Sequence, residues 1–133
     1  MAGSFVANQL NTDTGVFQNN NAFNGMAKAW VIFNGASPTI YGQHNVSSIT
    51  RNAAGDYTIN FLIPMVNANY SVIGSSSLNT TSAAYTFVIS NAMSTTPFVQ
   101  APTTTACRIV VTNSNASSGV VDAFYTSVAI FGQ

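Results

Sequence analysis

Wherever apolar and polar positions alternate along this chain, the period is most often two. Tyr57, Ile59 and Phe61 alternate with Thr58 and Asn60, and Cys107, Ile109 and Val111 form one set interleaved with Arg108, Val110 and Thr112. That is the pattern of strands with one face on a core. Such runs predict strands over residues 27–33, 39–41, 46–50, 57–62, 70–74, 84–89, 108–112 and 120–130, joined by connections rich in Asn, Ser, Gly and Pro. No helix is expected: the only window with helical apolar spacing, 25–30, runs straight into strand-forming Val31, Ile32 and Phe33. Short strands with such connections predict an all-β fold, an antiparallel β-sandwich or jelly-roll-like module.

One hairpin is legible in detail. A β-branched run ends at Arg51-Asn52-Ala53-Ala54-Gly55-Asp56, and the alternating Tyr57-Thr58-Ile59-Asn60-Phe61 follows. Gly55 supplies the positive φ that a tight reversal needs. Trp30 and Tyr57 are expected to pack in the core, because large aromatics dominate the interior of a small β domain.

The first 24 residues differ from the rest. They hold six Asn between positions 8 and 24 and only scattered apolar residues, Leu10, Val16, Phe17 and Phe23 among them. That is too little to offset the cost of ordering their own backbone. Residues 1–24 are therefore expected to be either a flexible tail or an arm that docks on a neighbouring subunit, and residues 25–133 a single β domain.

Two predicted strands have no solvent-like face. In 120–131 one set would read Val120, Asp122, Phe124, Thr126, Val128 and Ile130, the other Val121, Ala123, Tyr125, Ser127, Ala129 and Phe131. In 84–89, Tyr85, Phe87 and Ile89 oppose Ala84, Thr86 and Val88. Such strands are either central in their sheet or cover their second face with another subunit. Val128, Ile130 and Phe131 are the candidates for such an interface.

Composition narrows the functional classes. The chain has 3 Lys or Arg, 3 Asp, no Glu and zero net charge, where an ordinary domain is about one quarter charged. With 16 Asn, 15 Ser and 15 Thr, its surface is polar but nearly fieldless. Nucleic acid and anionic membranes both require clustered Lys and Arg, so neither is an expected partner. No segment reaches the ~20 apolar residues of a membrane span. The amino terminus lacks a basic region followed by an apolar stretch of signal-peptide length, so synthesis in a cytosol is expected.

Catalytic chemistry finds few candidates. Cys107 is the only cysteine, so it forms neither an intrachain disulfide nor a multi-cysteine zinc site, and its strand setting predicts a small buried hydrophobe. A Cys–His pair would have to join Cys107 to His44, the only histidine, and no Gly-rich oxyanion loop adjoins it. No Ser lies in a nucleophile-elbow pattern. His44 reads as a hydrogen-bonded loop residue, or, in a trimer, as one of three copies around a metal on the axis. No catalytic residue, cofactor or resident metal is expected. The four Asn-x-Ser/Thr sequons, at Asn45, Asn69, Asn79 and Asn115, are about what chance gives in so Asn-, Ser- and Thr-rich a chain. Recognition usually sits on long loops, which singles out 94–105 with Phe98 and Gln100, and the loop carrying Asn79 and Thr80.

The two segments Ala27-Lys28-Ala29-Trp30-Val31-Ile32-Phe33-Asn34-Gly35 and Asn45-Val46-Ser47-Ser48-Ile49-Thr50-Arg51-Asn52-Ala53-Ala54-Gly55-Asp56-Tyr57-Thr58-Ile59-Asn60-Phe61 closely resemble a pattern that recurs in bacteriophage tail-fibre and related virion-surface proteins. The resemblance spans residues 25–70 and returns in Ser127-Val128-Ala129-Ile130-Phe131-Gly132. The family hairpin reads Asp-Asn-Gly-Thr-Gly-Asp, whereas this chain keeps only the second of those glycines. The resemblance implies a non-enzymatic homotrimer on the virion surface, made in the host bacterial cytoplasm. The implied role is that of a tail-fibre tip or knob in host attachment and receptor binding to a cell-envelope glycan; for that contact the loops singled out above offer Phe98, Gln100, Asn79 and Thr80. The alternatives are a capsid decoration or cement protein, or a capsid fibre, as a short separate chain suggests, and a lectin module outside any phage. Expected partners are its own copies, other virion proteins and a host glycan.

Overall fold

The computed structural model describes residues 9–12, 15–77, 87–91, 101–113 and 120–132, with only the backbone for 9–12, 15–21, 87–91 and 113. Ten strands and one short helix follow in order: β1 Gln9–Thr12, β2 Gly15–Gln18, α1 Asn19–Gly25, β3 Ala29–Phe33, β4 Ile40–His44, β5 Val46–Ala53, β6 Asp56–Phe61, β7 Ser71–Ser77, β8 Phe87–Asn91, β9 Ala106–Asn113 and β10 Tyr125–Phe131. Two four-stranded sheets, ordered β4-β3-β10-β7 and β5-β6-β9-β8, form the body, and β1-β2 is a separate ribbon. Every pairing is antiparallel, so the fold is all-β as the alternation requires.

Both sheets contribute to one core. The first supplies Ala29, Val31 and Phe33 of β3 with Val128 and Ile130 of β10, and the second supplies Tyr57, Ile59 and Phe61 of β6 with Cys107, Ile109 and Val111 of β9. Each set obeys the period of two read from the sequence. The sheets touch through Phe33 and Tyr57, whose rings meet edge to face at 5.1 Å between centroids. Phe61 and Tyr70 repeat that contact at 5.8 Å. Each such side chain, buried, is worth about 1.5–3 kcal/mol.

Parity corrects the expectation for Trp30. Ala29, Val31 and Phe33 turn inward, so the residues between them turn out, and Trp30 is 39% exposed on the outer face. Parity also places Val128 and Ile130. Their side chains are consumed by the chain's own core, 2% and 1% exposed, which leaves them no surface to offer another subunit. Phe131, on the opposite face of β10, is half-buried. β10 is central in its sheet, between β3 and β7.

Three further differences have local causes. The strand expected from residue 120 starts only at Tyr125, because Asp122 and Ala123 are drawn under the β5–β6 hairpin and Val120 makes a lone bridge to Thr112. A strand expected to end at 74 runs to Ser77, paired along β10. In the arm, a helix forms where none was expected. Lys28 closes its end: its Nζ donates to the Phe23 carbonyl and lies 3.3 Å from the centroid of the Phe23 ring. A cation suits the exposed carbonyls of a helix C-terminus.

Candidate functional site

The end of the segment 27–35 and the turn of the β5–β6 hairpin meet at one end of the domain. The β5–β6 hairpin turns at Gly55, with φ +65°. A Cβ there would lie 2.6 Å from the Val121 amide nitrogen, so both the backbone conformation and the space require glycine. The Gly55 amide donates to Asp122 Oδ1 at 2.9 Å, and the Tyr57 hydroxyl donates to the same oxygen at 2.5 Å. Arg51 grips that carboxylate with two donors, Nε at 3.1 Å to Oδ1 and Nη2 at 2.6 Å to Oδ2. Gly35, which ends the first motif segment, donates its amide to the Ala123 carbonyl at 2.8 Å, and a Cβ there would strike the Tyr57 hydroxyl. Both motif segments therefore lock onto residues 121–123.

A second ion pair braces the outside of the same hairpin. Arg108 Nε donates to Asp56 Oδ1 at 2.8 Å and its Nη2 bonds Oδ2, while Asn52 Nδ2 reaches Asp56 at 3.1 Å. Bonding by Arg108 holds the Asp56 carboxyl below the usual carboxylate range, against the opposing effect of burial. For Asp122, burial pushes the pKa up, but the bonds from Arg51, Tyr57 and Gly55 outweigh it and the net shift is downward. Burial and the Asp122 carboxylate push the Tyr57 hydroxyl upward. This end of the domain is a scaffold lock. The sequence named its glycine and tyrosine but not Asp122, though a chain with three acids and three cations had few other partners to offer.

The two outer sheet faces differ in kind. On β5 and β6 of the second sheet the outward polar residues bond one another: Asn60 Nδ2 donates to Ser48 Oγ at 3.0 Å and Thr50 Oγ1 at 3.1 Å, and Asn52 Nδ2 to Thr58 Oγ1 at 2.9 Å. On β4-β3-β10-β7 the register aligns His44, Trp30, Ala129 and Ile73 in one row across the strands, and Gly42, Ile32, Ser127 and Ser75 in the next. The Trp30 ring lies over Gly42, 3.4 Å from where a Cβ would stand. Toward the hairpin end the face continues into Tyr41 and Tyr125, rings 5.1 Å apart at centroids, with Phe124 edge-on to Tyr125 at 4.8 Å. Tyr41 sits where β4 slips register against β3, and its hydroxyl accepts from Asn34 Nδ2 at 3.3 Å. Trp30, Tyr41, Tyr125 and Ile73 are 39, 48, 47 and 56% exposed. None of the residues on this face is an Asp, Lys or Arg.

Of the residues singled out from sequence, Phe98, Gln100, Asn79 and Thr80 lie outside the described residues. His44 is exposed on the edge strand β4, whereas Cys107 faces the core from the other sheet, fully buried, so the two do not meet. Burial pushes the Cys107 thiol up to about 11. Among the described residues no three His, Cys, Asp or Glu gather as a metal site would require. Compared with known proteins, the chain matches no family model, no curated protein and no solved structure.

Proposed function

We propose that the chain is a non-enzymatic bacteriophage virion-surface module, a homotrimer of β-sandwich domains that recognises a glycan of the host envelope. The observation that carries this reading is the outer face of β4-β3-β10-β7. Exposed Trp30, Tyr41 and Tyr125 offer flat apolar rings, and His44, Ser75, Ser127 and Ser77 share their face as hydrogen-bonding groups. Aromatic rings with a polar fringe suit a neutral sugar, whose CH faces pack on the ring while its hydroxyls bond the fringe. On β5 and β6 of the opposite sheet the outward polar groups already bond one another. The resemblance to tail-fibre proteins supports the virion assignment, and its motif residues Gly35, Gly55, Asp56 and Tyr57 act in the scaffold, not in contact.

Adsorption of the purified protein to host cells, competed by intact phage, tests the reading. Trp30→Ala and Tyr125→Ala should each abolish adsorption without unfolding the domain. Wild-type adsorption by both variants refutes the assignment of this face.

A capsid decoration role is the second reading, and the arm favours it: β1-β2 is an element apart from the two sheets, as a docking device would be. Capsid binding that is lost on deleting residues 1–18, with no adsorption to cells, is its signature.

A further inference from the structure

The end of the domain opposite the hairpin lock is apolar and open. Leu62, Ile63 and Val66, from the segment after β6, are 67, 66 and 82% exposed, and Phe23 and Met26 beside them are each 62% exposed. Phe23, Ile63 and Val66, with Lys28, Asn45 and Met65, line a pocket of 580 Å³. The pocket is rigidly built. Asn45, with φ 53°, clamps Ile63 through both halves of its amide, accepting from the backbone nitrogen at 2.7 Å and donating to the carbonyl at 3.1 Å, and the Met65 amide is held by the Thr104 carbonyl at 2.8 Å. Its one charged group, Lys28, is turned onto the Phe23 carbonyl and ring. A contiguous apolar surface of this kind marks an interaction site. With Phe23, Ile63 and Val66 at its rim 62, 66 and 82% exposed, the pocket would leave a small molecule largely wet, so a protein surface is the better fit.

The same chain carries an element in need of such a surface. β1 and β2 pair over four residues each, with Leu10 directly opposite Phe17 and Asn11 opposite Val16. Among the named strands and the helix, the ribbon's one contact of any size outside itself is with α1, the helix it runs into, and neither sheet pairs with it. A lone two-stranded ribbon is marginal at best in water. Its own chain leaves the pocket uncovered, as the exposure of Val66 records. We infer that the β1-β2 arm of one copy covers the apolar end of the next copy. The inference rests on the homotrimer reading and states how the trimer is built: a head-to-tail contact that closes after three copies.

The test uses the full-length chain at micromolar concentration, with mass from light scattering and folding from circular dichroism. Deletion of residues 1–18 and Val66→Glu, a change at a largely exposed position, should each lower the mass threefold while the β spectrum persists. Phe17→Cys combined with Val66→Cys, mildly oxidised, should give covalent trimers on a denaturing gel; Cys107 is buried and does not compete. A monomeric wild-type protein refutes the homotrimer reading itself. Arm-deleted and Val66→Glu proteins that both stay trimeric overturn the inference and leave that reading standing. A cross-link formed only within one chain also overturns it, as does an arm-deleted trimer that has lost affinity only for phage heads.

Discussion

Tyr57 donates a 2.5 Å hydrogen bond to Asp122, 65 residues further along the chain. The bond joins the centre of the recognised hairpin to the approach to β10. Around it converge Gly55, Arg51 and Gly35, so a motif local in sequence is completed only by residues near the other end of the chain. Tyr57 is fully buried, with its ring on Phe33 and its hydroxyl on a carboxylate.

Tyr57→Phe keeps the ring and removes the donor. Hydrogen bonds to charged groups contribute roughly 1.5–3 kcal/mol, and a loss of that size is expected in urea denaturation, with an unchanged slope. Gly55→Ala should cost more, since the added Cβ meets backbone atoms of Val121 and Val111 that have little room to yield. Equal stability of Gly55→Ala and wild type would show that the hairpin does not dock on residue 121.

What the sequence revealed and what it concealed follow from the same rule. Tyr57, Ile59 and Cys107 are interior because parity and residue type agree. Trp30 was expected inside on type alone, although Ala29, Val31 and Phe33 had already claimed the inner positions of β3. Val128 and Ile130 lie on one of two apolar faces of the last strand, and the sequence does not say which face is inner; β10 is central in its sheet, and its 128–130 set packs in the core. The short helix left one trace, a lysine five residues after Phe23. The aromatic face joins Trp30 and Tyr41, on consecutive strands, to Tyr125 near the other end of the chain, and only register brings them together.

Acid should destabilise the fold through Asp56 and Asp122. Both carboxyls titrate lower in the folded state than in the unfolded chain, so the unfolded state takes up protons first. Their stabilisation is complete above the unfolded value, about 4, and is lost as pH falls through the folded values. Thermal midpoints should be flat near neutrality and fall below about pH 4, and Asp122→Asn should shrink that fall. An identical acid limb in Asp122→Asn would remove Asp122 from the account.

Trp30→Ala should cost at most about 1 kcal/mol, as expected for a half-exposed side chain off the core, whereas Phe33→Ala one turn of alternation away should cost about 3–5 kcal/mol. Chemical denaturation of the pair checks this directly. Comparable losses would place Trp30 back in the interior and withdraw it from the proposed glycan face.

The Cys107 thiol is fully buried and pushed up to about 11, so at pH 8 almost none of it is thiolate and none is within reach of solvent. An aromatic disulfide reagent should label the native protein only at the rate of global unfolding, and at once in denaturant. Rapid labelling of the folded protein would mean that β9 opens locally.

Thr126 offers a stabilising change. Its side chain is fully buried in β10, and its Oγ1, like the Oγ of Ser76 directly across the β10–β7 pairing, has no hydrogen-bond partner among the described residues. A buried hydroxyl without a partner costs about 1–3 kcal/mol of desolvation. Valine has nearly the same shape and belongs to the same inward row as Val128, Ile130 and Phe33. Thr126→Val should therefore raise the free energy of unfolding by about 1 kcal/mol or more, read as a higher denaturation midpoint at unchanged slope. A lower midpoint would show that the Thr126 hydroxyl is satisfied in solution and that the polar pair it forms with Ser76 helps to hold β7 against β10.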